Sequence, residues 1–151
     1  MRGRWLAVLA LSVLALAACG TENYARPGSE PPPAAGMARL YFFRDLAPYD
    51  KPIWTAVSLD RRRVGDSAPG TVFYRDVPPG TYEIEVRSDE LYPDQFKTVT
   101  VRAGSVVYAK IQLLPHWGAT GWGNGGTTFI VSIADPATAQ REIAALALTP
   151  G

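Results

Sequence analysis

Three hydropathy regimes follow one another along the chain. Residues 5–18 (WLAVLALSVLALAA) are apolar except for Ser12. Residues 20–36 (GTENYARPGSEPPPAAG) are polar and proline-rich, with no aliphatic side chain larger than alanine and no period. From Ala38 onward, short apolar stretches alternate with turn residues. Leu40, Tyr41, Phe42 and Phe43 form a dense apolar and aromatic run. In 53–59, Thr55, Val57 and Leu59 alternate against Ala56 and Ser58, and 71–77 is a third candidate strand. Tyr82, Ile84 and Val86 alternate with Glu83, Glu85 and Arg87, the period of a half-buried strand. Val99 and Val101 sit in the same way among Thr98, Thr100 and Arg102. The stretch 106–114 is longer and sets Val107, Ala109, Ile111 and Leu113 on one face, and 129–133 closes the series.

The punctuation between these stretches fits strands. DSAPG at 66–70, Pro78-Pro79-Gly80 and Ala103-Gly104 all mark turns. Close spacing with turn signals predicts a mainly β domain over 38–151, an antiparallel sandwich of about seven strands. The C-terminal part changes period. Asp135-Pro136 reads as an N-cap followed by proline at the first helical position. A short helix over 137–146 follows, with Ile143 and Leu146 or Ala147 facing inward. It is expected to cover a sheet edge or one end of the core.

Composition narrows the classes. Of 151 residues, 47% are hydrophobic and 19% charged, an ordinary globular balance. One cysteine, Cys19, excludes an intramolecular disulfide and a cysteine-rich zinc site, and one histidine, His116, excludes a histidine cluster. No metal or cofactor is expected. Net charge is +1 for the whole chain; without Arg2 and Arg4 it is −1, so no basic footprint for nucleic acid remains.

Arg2 and Arg4, the short apolar run and the small residues after it read as a secretory signal over 1–18. The run is short for a membrane-spanning helix, which needs about 20 residues. Leu16-Ala17-Ala18-Cys19 resembles the lipobox of bacterial lipoproteins. That resemblance implies a diacylglycerol on the Cys19 sulfur, cleavage just before it, and acylation of the new amino group. Each buried CH₂ contributes about 0.8 kcal/mol, so several chains anchor durably. Gly20 rather than aspartate follows the cysteine, which resembles the exported class and implies the outer membrane, facing the periplasm. Residues 19–37 are then a lipidated cysteine and a disordered tether. The 17 residues of 20–36 reach up to roughly 50 Å if fully extended.

The order of motifs in the domain resembles a domain-of-unknown-function family of small bacterial lipoproteins. The carriers are Arg39-Leu40-Tyr41-Phe42-Phe43-Arg44, Val57-Ser58-Leu59-Asp60, Val64-Gly65 and Phe73. Val77-Pro78-Pro79-Gly80-Thr81-Tyr82 and Ala103-Gly104-Ser105-Val106-Val107-Tyr108 complete the series. The resemblance runs over roughly 38–146 and implies a transthyretin-like β-sandwich without an assigned activity. Arg61 departs from it, standing where the family hairpin has glycine. The turn between Asp60 and Val64 is therefore expected to be longer or of another type.

Several features bear on function. GWGNGG at 121–126 matches G-x-G-x-x-G, but a strand rather than a helix follows, so no dinucleotide unit is available. The same loop places His116, Trp117 and Trp122 among glycines, and loop indoles are contact residues for headgroups, glycan rings or a partner protein. Alternatively one indole folds back and plugs an end of the sandwich. Arg61, Arg62 and Arg63 form a basic cluster in a hairpin turn, suited to anionic groups or to discouraging edge pairing. Glu83 and Glu85 share the solvent face of one strand. No G-x-S-x-G, Walker or H-E-x-x-H motif occurs.

The reading is a non-enzymatic, lipid-anchored envelope protein, attached to the membrane through Cys19, that presents a β-sandwich to an envelope protein or glycan. One alternative is a small-ligand-binding or hydrolytic periplasmic protein with a pocket near His116. Another is an accessory subunit of an envelope or secretion complex, marked by an exposed, uncharged edge strand.

Overall fold

The computed structural model describes residues 28, 30–47, 52–88, 93–114 and 128–149. Among the described residues nine strands and one α-helix follow in the order β1 (Ala38–Arg44), β2 (Thr55–Leu59), β3 (Arg62–Ser67), β4 (Thr71–Val77), β5 (Gly80–Val86), β6 (Phe96–Val101), β7 (Val106–Leu114), β8 (Thr128–Ile133), α1 (Pro136–Ile143) and β9 (Ala147–Leu148). They form a five-stranded sheet, β8-β7-β1-β4-β9, and a four-stranded sheet, β3-β2-β5-β6. The mainly β sandwich with one short C-terminal helix is therefore what the chain folds into.

The period-2 patterns decide which side chains meet. Leu40 and Phe42 from β1, Phe73 from β4, and Ala109, Ile111 and Leu113 from β7 face Val57, Ile84, Val86 and Val101 across the sandwich. Phe42 and Phe73 stack with ring centroids 5.0 Å apart. Burying each such side chain contributes roughly 1.5–3 kcal/mol.

Three expectations change. The sandwich is not wholly antiparallel, because β1 pairs parallel with β7 and β4 parallel with β9. Two strands exceed the expected seven. One is β9; the other is β3, which takes in Arg62 and Arg63 and ends at Asp66 and Ser67, inside the stretch read as a turn. Helix α1 covers neither an edge nor an end. Ala139 and Ile143 pack on the outer face of the five-stranded sheet against Phe43, Val72, Tyr108 and Leu148. Odd-numbered β1 residues point to that face while even-numbered ones point into the sandwich, so β1 is buried on both sides.

Local chemistry sets the boundaries. Asp135 caps α1, its Oδ2 accepting from the Thr138 N–H at 3.0 Å, with Pro136 in the first turn. The β2–β3 hairpin turns on two residues, Asp60 and Arg61, at φ 48° and 65°. Leu59 pairs directly with Arg62, so the turn is short rather than long. Two positive φ values in a two-residue loop are the primed geometry that glycine favours. Arg61 adopts it without glycine's freedom. Asp60 secures the turn: its N–H donates to Glu83 O and its Oδ1 accepts from the Glu83 N–H, both at 2.9 Å.

The strand directions define two ends. Ala38, Val77, Gly80, Val101 and Val106 lie at one, through the registers of β1 with β4 and β7 and of β5 with β6. Arg44, Thr55, Ser67, Thr71, Phe96, Leu114 and Thr128 lie at the other. Among the described residues no helix is long and apolar enough to cross a membrane.

Candidate functional site

Six polar side chains are buried among the described residues, and five of them line the Arg44 end. Arg44 ends β1, Thr55 opens β2, Ser67 ends β3, Gln95 immediately precedes β6, and Thr128 opens β8. Burying polar groups costs free energy unless they are hydrogen-bonded. Here the bonds are made except at Ser67, whose Oγ has no partner among the described residues. Arg44, with no solvent exposure, donates from Nη1 to Ile53 O at 2.8 Å, and its guanidinium lies 4.7 Å from the centre of the Phe129 ring. Thr55 Oγ1 donates to Arg87 O at 2.5 Å. Ser88 Oγ accepts from the Phe129 N–H at 2.6 Å and donates to Phe129 O at 3.0 Å. The strand ends are thus tied to one another by side chains rather than by apolar contact alone.

Over this polar floor opens a groove of about 520 Å³. Trp54, Arg63, Asp66, Arg87 and Phe129 carry its chemistry, with Ile53, Thr55, Ala56 and Ser88 completing the wall. Register explains the gathering. Ala56 pairs with Asp66 on one side, and the Arg87 N–H donates to Ala56 O on the other. Asp66, Ala56 and Arg87 therefore share the outer face of the four-stranded sheet. Arg63 reaches the same groove and forms a two-point pair with Asp66. Trp54 is 65% exposed beside them. Four of the six exposed large hydrophobic side chains among the described residues, Leu46, Ile53, Trp54 and Phe96, lie at this end. An exposed indole flanked by guanidinium groups can stack on a planar or apolar face while donating hydrogen bonds to its rim.

The residues singled out by sequence distribute unevenly. Arg63 lines the groove; Arg62 is exposed on β3, and Arg61 occupies the hairpin tip away from it. Glu83 is exposed and Glu85 half-buried on the outer face, as their alternation requires. Cys19, His116, Trp117 and Trp122 lie outside the described residues. The segment carrying the last three joins Leu114 to Thr128, which pair with each other at the Arg44 end. Trp54, Arg87, Ser88 and the buried Arg44 were not singled out from sequence. Trp54 was the most accessible signal: an indole two residues after Pro52, next to the alternating Thr55, Val57 and Leu59. Among the described residues no three His, Cys, Asp or Glu side chains gather as metal ligands.

The edges bear on strand addition. β8 (TFIVSI) is an uncharged edge strand. Its Phe129 N–H and C=O are already held by Ser88, which removes the first outward pair of backbone groups. The β3 edge carries Arg62 and Arg63.

A second charged centre sits on the outer face of the five-stranded sheet. Arg39, 3% exposed, makes a bidentate pair with Asp76 at 2.7 and 2.9 Å and lies 4.0 Å from the Tyr74 ring centre. Asp76 holds the guanidinium above its ordinary pKa, and Arg39 in turn holds the Asp76 carboxyl below the usual carboxylate range. Arg39 Nη1 also donates to Pro31 O at 2.7 Å, which lays the proline-rich segment against this face.

A family model described as a protein of unknown function (DUF2846) matches residues 34–122, more than half of the chain. No curated protein matches the chain. The match takes in β1 to β7 and ends short of the 146 expected from the motifs. The edge strand β8 and the covering helix α1 lie beyond it.

Proposed function

For this chain, which belongs to the DUF2846 family, we propose a lipid-anchored envelope protein that presents the Arg44 end of a transthyretin-like sandwich to an envelope protein or glycan. The diacylglycerol is on Cys19, after removal of residues 1–18, and the molecule sits on the outer membrane facing the periplasm. Its role is binding rather than catalysis.

One observation supports the reading above others. The N-terminal segment and the groove occupy opposite sides of the sandwich. Residues 30–37 run against the outer face of the five-stranded sheet and enter β1 at the Ala38 end, with Met37 O accepting from the Gly104 N–H at 2.8 Å. The groove opens on the outer face of the four-stranded sheet at the Arg44 end. A chain held by its N-terminus thereby leaves the groove free to meet a partner.

Two measurements test this. Mass spectrometry of the mature N-terminus is expected to show acyl mass on Cys19; an unmodified chain retaining Met1 overturns the anchor. Affinity capture from solubilised envelope is expected to recover a protein or glycan with wild type and to lose it with Trp54→Ala or Trp117→Ala/Trp122→Ala. Equal recovery by wild type and variants overturns the groove as the contact.

A further inference from the structure

A smaller pocket of about 260 Å³ lies on the opposite face from the groove. Its floor is Tyr41 and Tyr108, neighbours across the parallel β1–β7 pair, with ring centroids 5.3 Å apart and planes within 9°. Gln140, Ile143 and Ala144 of the α1 region form one wall, and Gly28 and Glu30 close it from above. Gln140 Nε2 donates to the Tyr108 hydroxyl at 3.2 Å, fixing that ring against the helix.

Glu30 is the unusual member. Its Oε2 accepts from the Gly28 N–H at 2.6 Å. Its Oε1 is shielded from solvent and has no hydrogen-bond partner among the described residues. Leaving a buried acceptor unmet costs roughly 1–3 kcal/mol, more for a charged group. The nearby cations are engaged elsewhere. Arg39 is committed to Asp76 and Pro31 O, and Lys110 to Asp45 and Glu142 at 3.0 Å each. Burial foremost, with Glu30's negative charge adding to it, holds the Tyr41 phenol above its ordinary pKa despite the opposing Arg39 bond. The pocket thus combines one carboxylate oxygen lacking a donor, Glu30 Oε1, with two aromatic rings.

The geometry points to a binding site for a small ammonium group, held by Glu30 Oε1 and the rings of Tyr41 and Tyr108. An ammonium supplies both the N–H donor the carboxylate lacks and a cation for the ring faces. The volume admits a short aminoalkyl group rather than a drug-sized ligand. Such a group occurs on a phospholipid headgroup and as a free amine. This site depends neither on the anchor at Cys19 nor on the groove beside Trp54.

The test uses the full mature chain with ¹³C-labelled tyrosine rings observed by NMR, in a maltoside detergent, which carries no ammonium of its own, for the soluble probes, and reconstituted into detergent-free vesicles for the lipid probe. Ethanolammonium chloride is one probe, phosphatidylethanolamine vesicles the second, and ethylene glycol the neutral control. The Tyr41 and Tyr108 resonances are expected to shift with an ammonium probe and to stay put with ethylene glycol. Shifts with the vesicles alone assign the headgroup as source; shifts with ethanolammonium show that the free amine suffices. Glu30→Gln keeps the shape and removes the charge, and is expected to weaken binding at least tenfold while spectral dispersion is retained. Tyr108→Phe keeps the ring and is expected to bind within about threefold of wild type, as a ring-face contact requires. Shifts equal to those from ethylene glycol, an unchanged affinity in Glu30→Gln, or no shift with either ammonium probe overturns the site.

Discussion

At its Ala38 end the sandwich buries Ala38, Leu40, Val77, Val99 and Val101; at its Arg44 end it buries Arg44, Thr55, Ser67, Gln95 and Thr128. The same strands run through both. The apolar end gains from the transfer of side chains out of water. The polar end must recover its desolvation cost through directed bonds such as Arg44 to Ile53 O and Ser88 to Phe129. Directed bonds specify geometry more tightly than apolar contact does, because each works over a narrow range of distance and angle. The difference teaches where stability and presentation are separated: one end holds the sheets together, the other fixes the positions of the segments that rim the groove.

Substitutions can break that contrast, and the largest effect is expected in the apolar half. Leu40→Ala should lower stability by about 3–4 kcal/mol by removing transfer energy and leaving a cavity, while the folded fraction keeps its capture activity. Denaturant titration and capture on one preparation check both; a lost partner with unchanged stability would merge the two ends into one. Next is Asp76→Asn, which strands the buried Arg39 and should cost about 3 kcal/mol at neutral pH. The sign with pH follows from the lowered Asp76 pKa. The pair contributes fully above the ordinary carboxylate value of about 3.9 and is lost as pH falls through the depressed folded value. Wild type and variant should therefore converge in strong acid, as thermal melts across a pH series would show.

A smaller effect of opposite sign is expected at the hairpin. Arg61→Gly relieves a non-glycine residue at φ 65° and should raise stability by about 1 kcal/mol. A stability loss would mean that the arginine makes a compensating contact. Smallest is Trp54→Ala, expected to move stability by less than about 0.5 kcal/mol because the indole is exposed, yet to abolish capture. A folding defect in this variant would shift Trp54 from the presenting end to the stabilising one.

The strands with strict alternation were legible from sequence because sheet faces impose that period directly. β7 matches its expected bounds to the residue, and β5 and β6 extend theirs by a few. β3 was not legible: RRRVGDS has no alternation, and its strand exists because the Asp60–Arg61 turn returns the chain onto β2. The missing glycine at 61 hid that turn. A bulge between Val57 and Ser58 shifts the register further, so Gly65 and Arg63 rather than consecutive residues face them. The groove was illegible for a related reason. Trp54, Arg63, Asp66 and Arg87 come from three segments, and only the cross-strand register through Ala56 brings them to one face. Parallel pairing of β1 with β7, which sets Tyr41 beside Tyr108, likewise has no signal within either strand.

The bond from Arg39 to Pro31 O has a mechanical consequence. For a molecule moored at Cys19, the span from mooring to sheet then ends near Gly28 rather than at β1. Its fully extended length falls from roughly 50 Å to roughly 28 Å. The space the domain can sweep scales with the cube of that length and shrinks about sixfold. The mooring force also acts on the flank of the molecule, level with the Tyr41 rung, instead of at its tip. A body hung from its flank lies broadside to its support, with the four-stranded sheet turned outward. Releasing the Pro31 carbonyl from Arg39 together with the Ala34 backbone from Asp76 would let a body so moored swing end-on and reach farther, a change of posture that needs no change in fold.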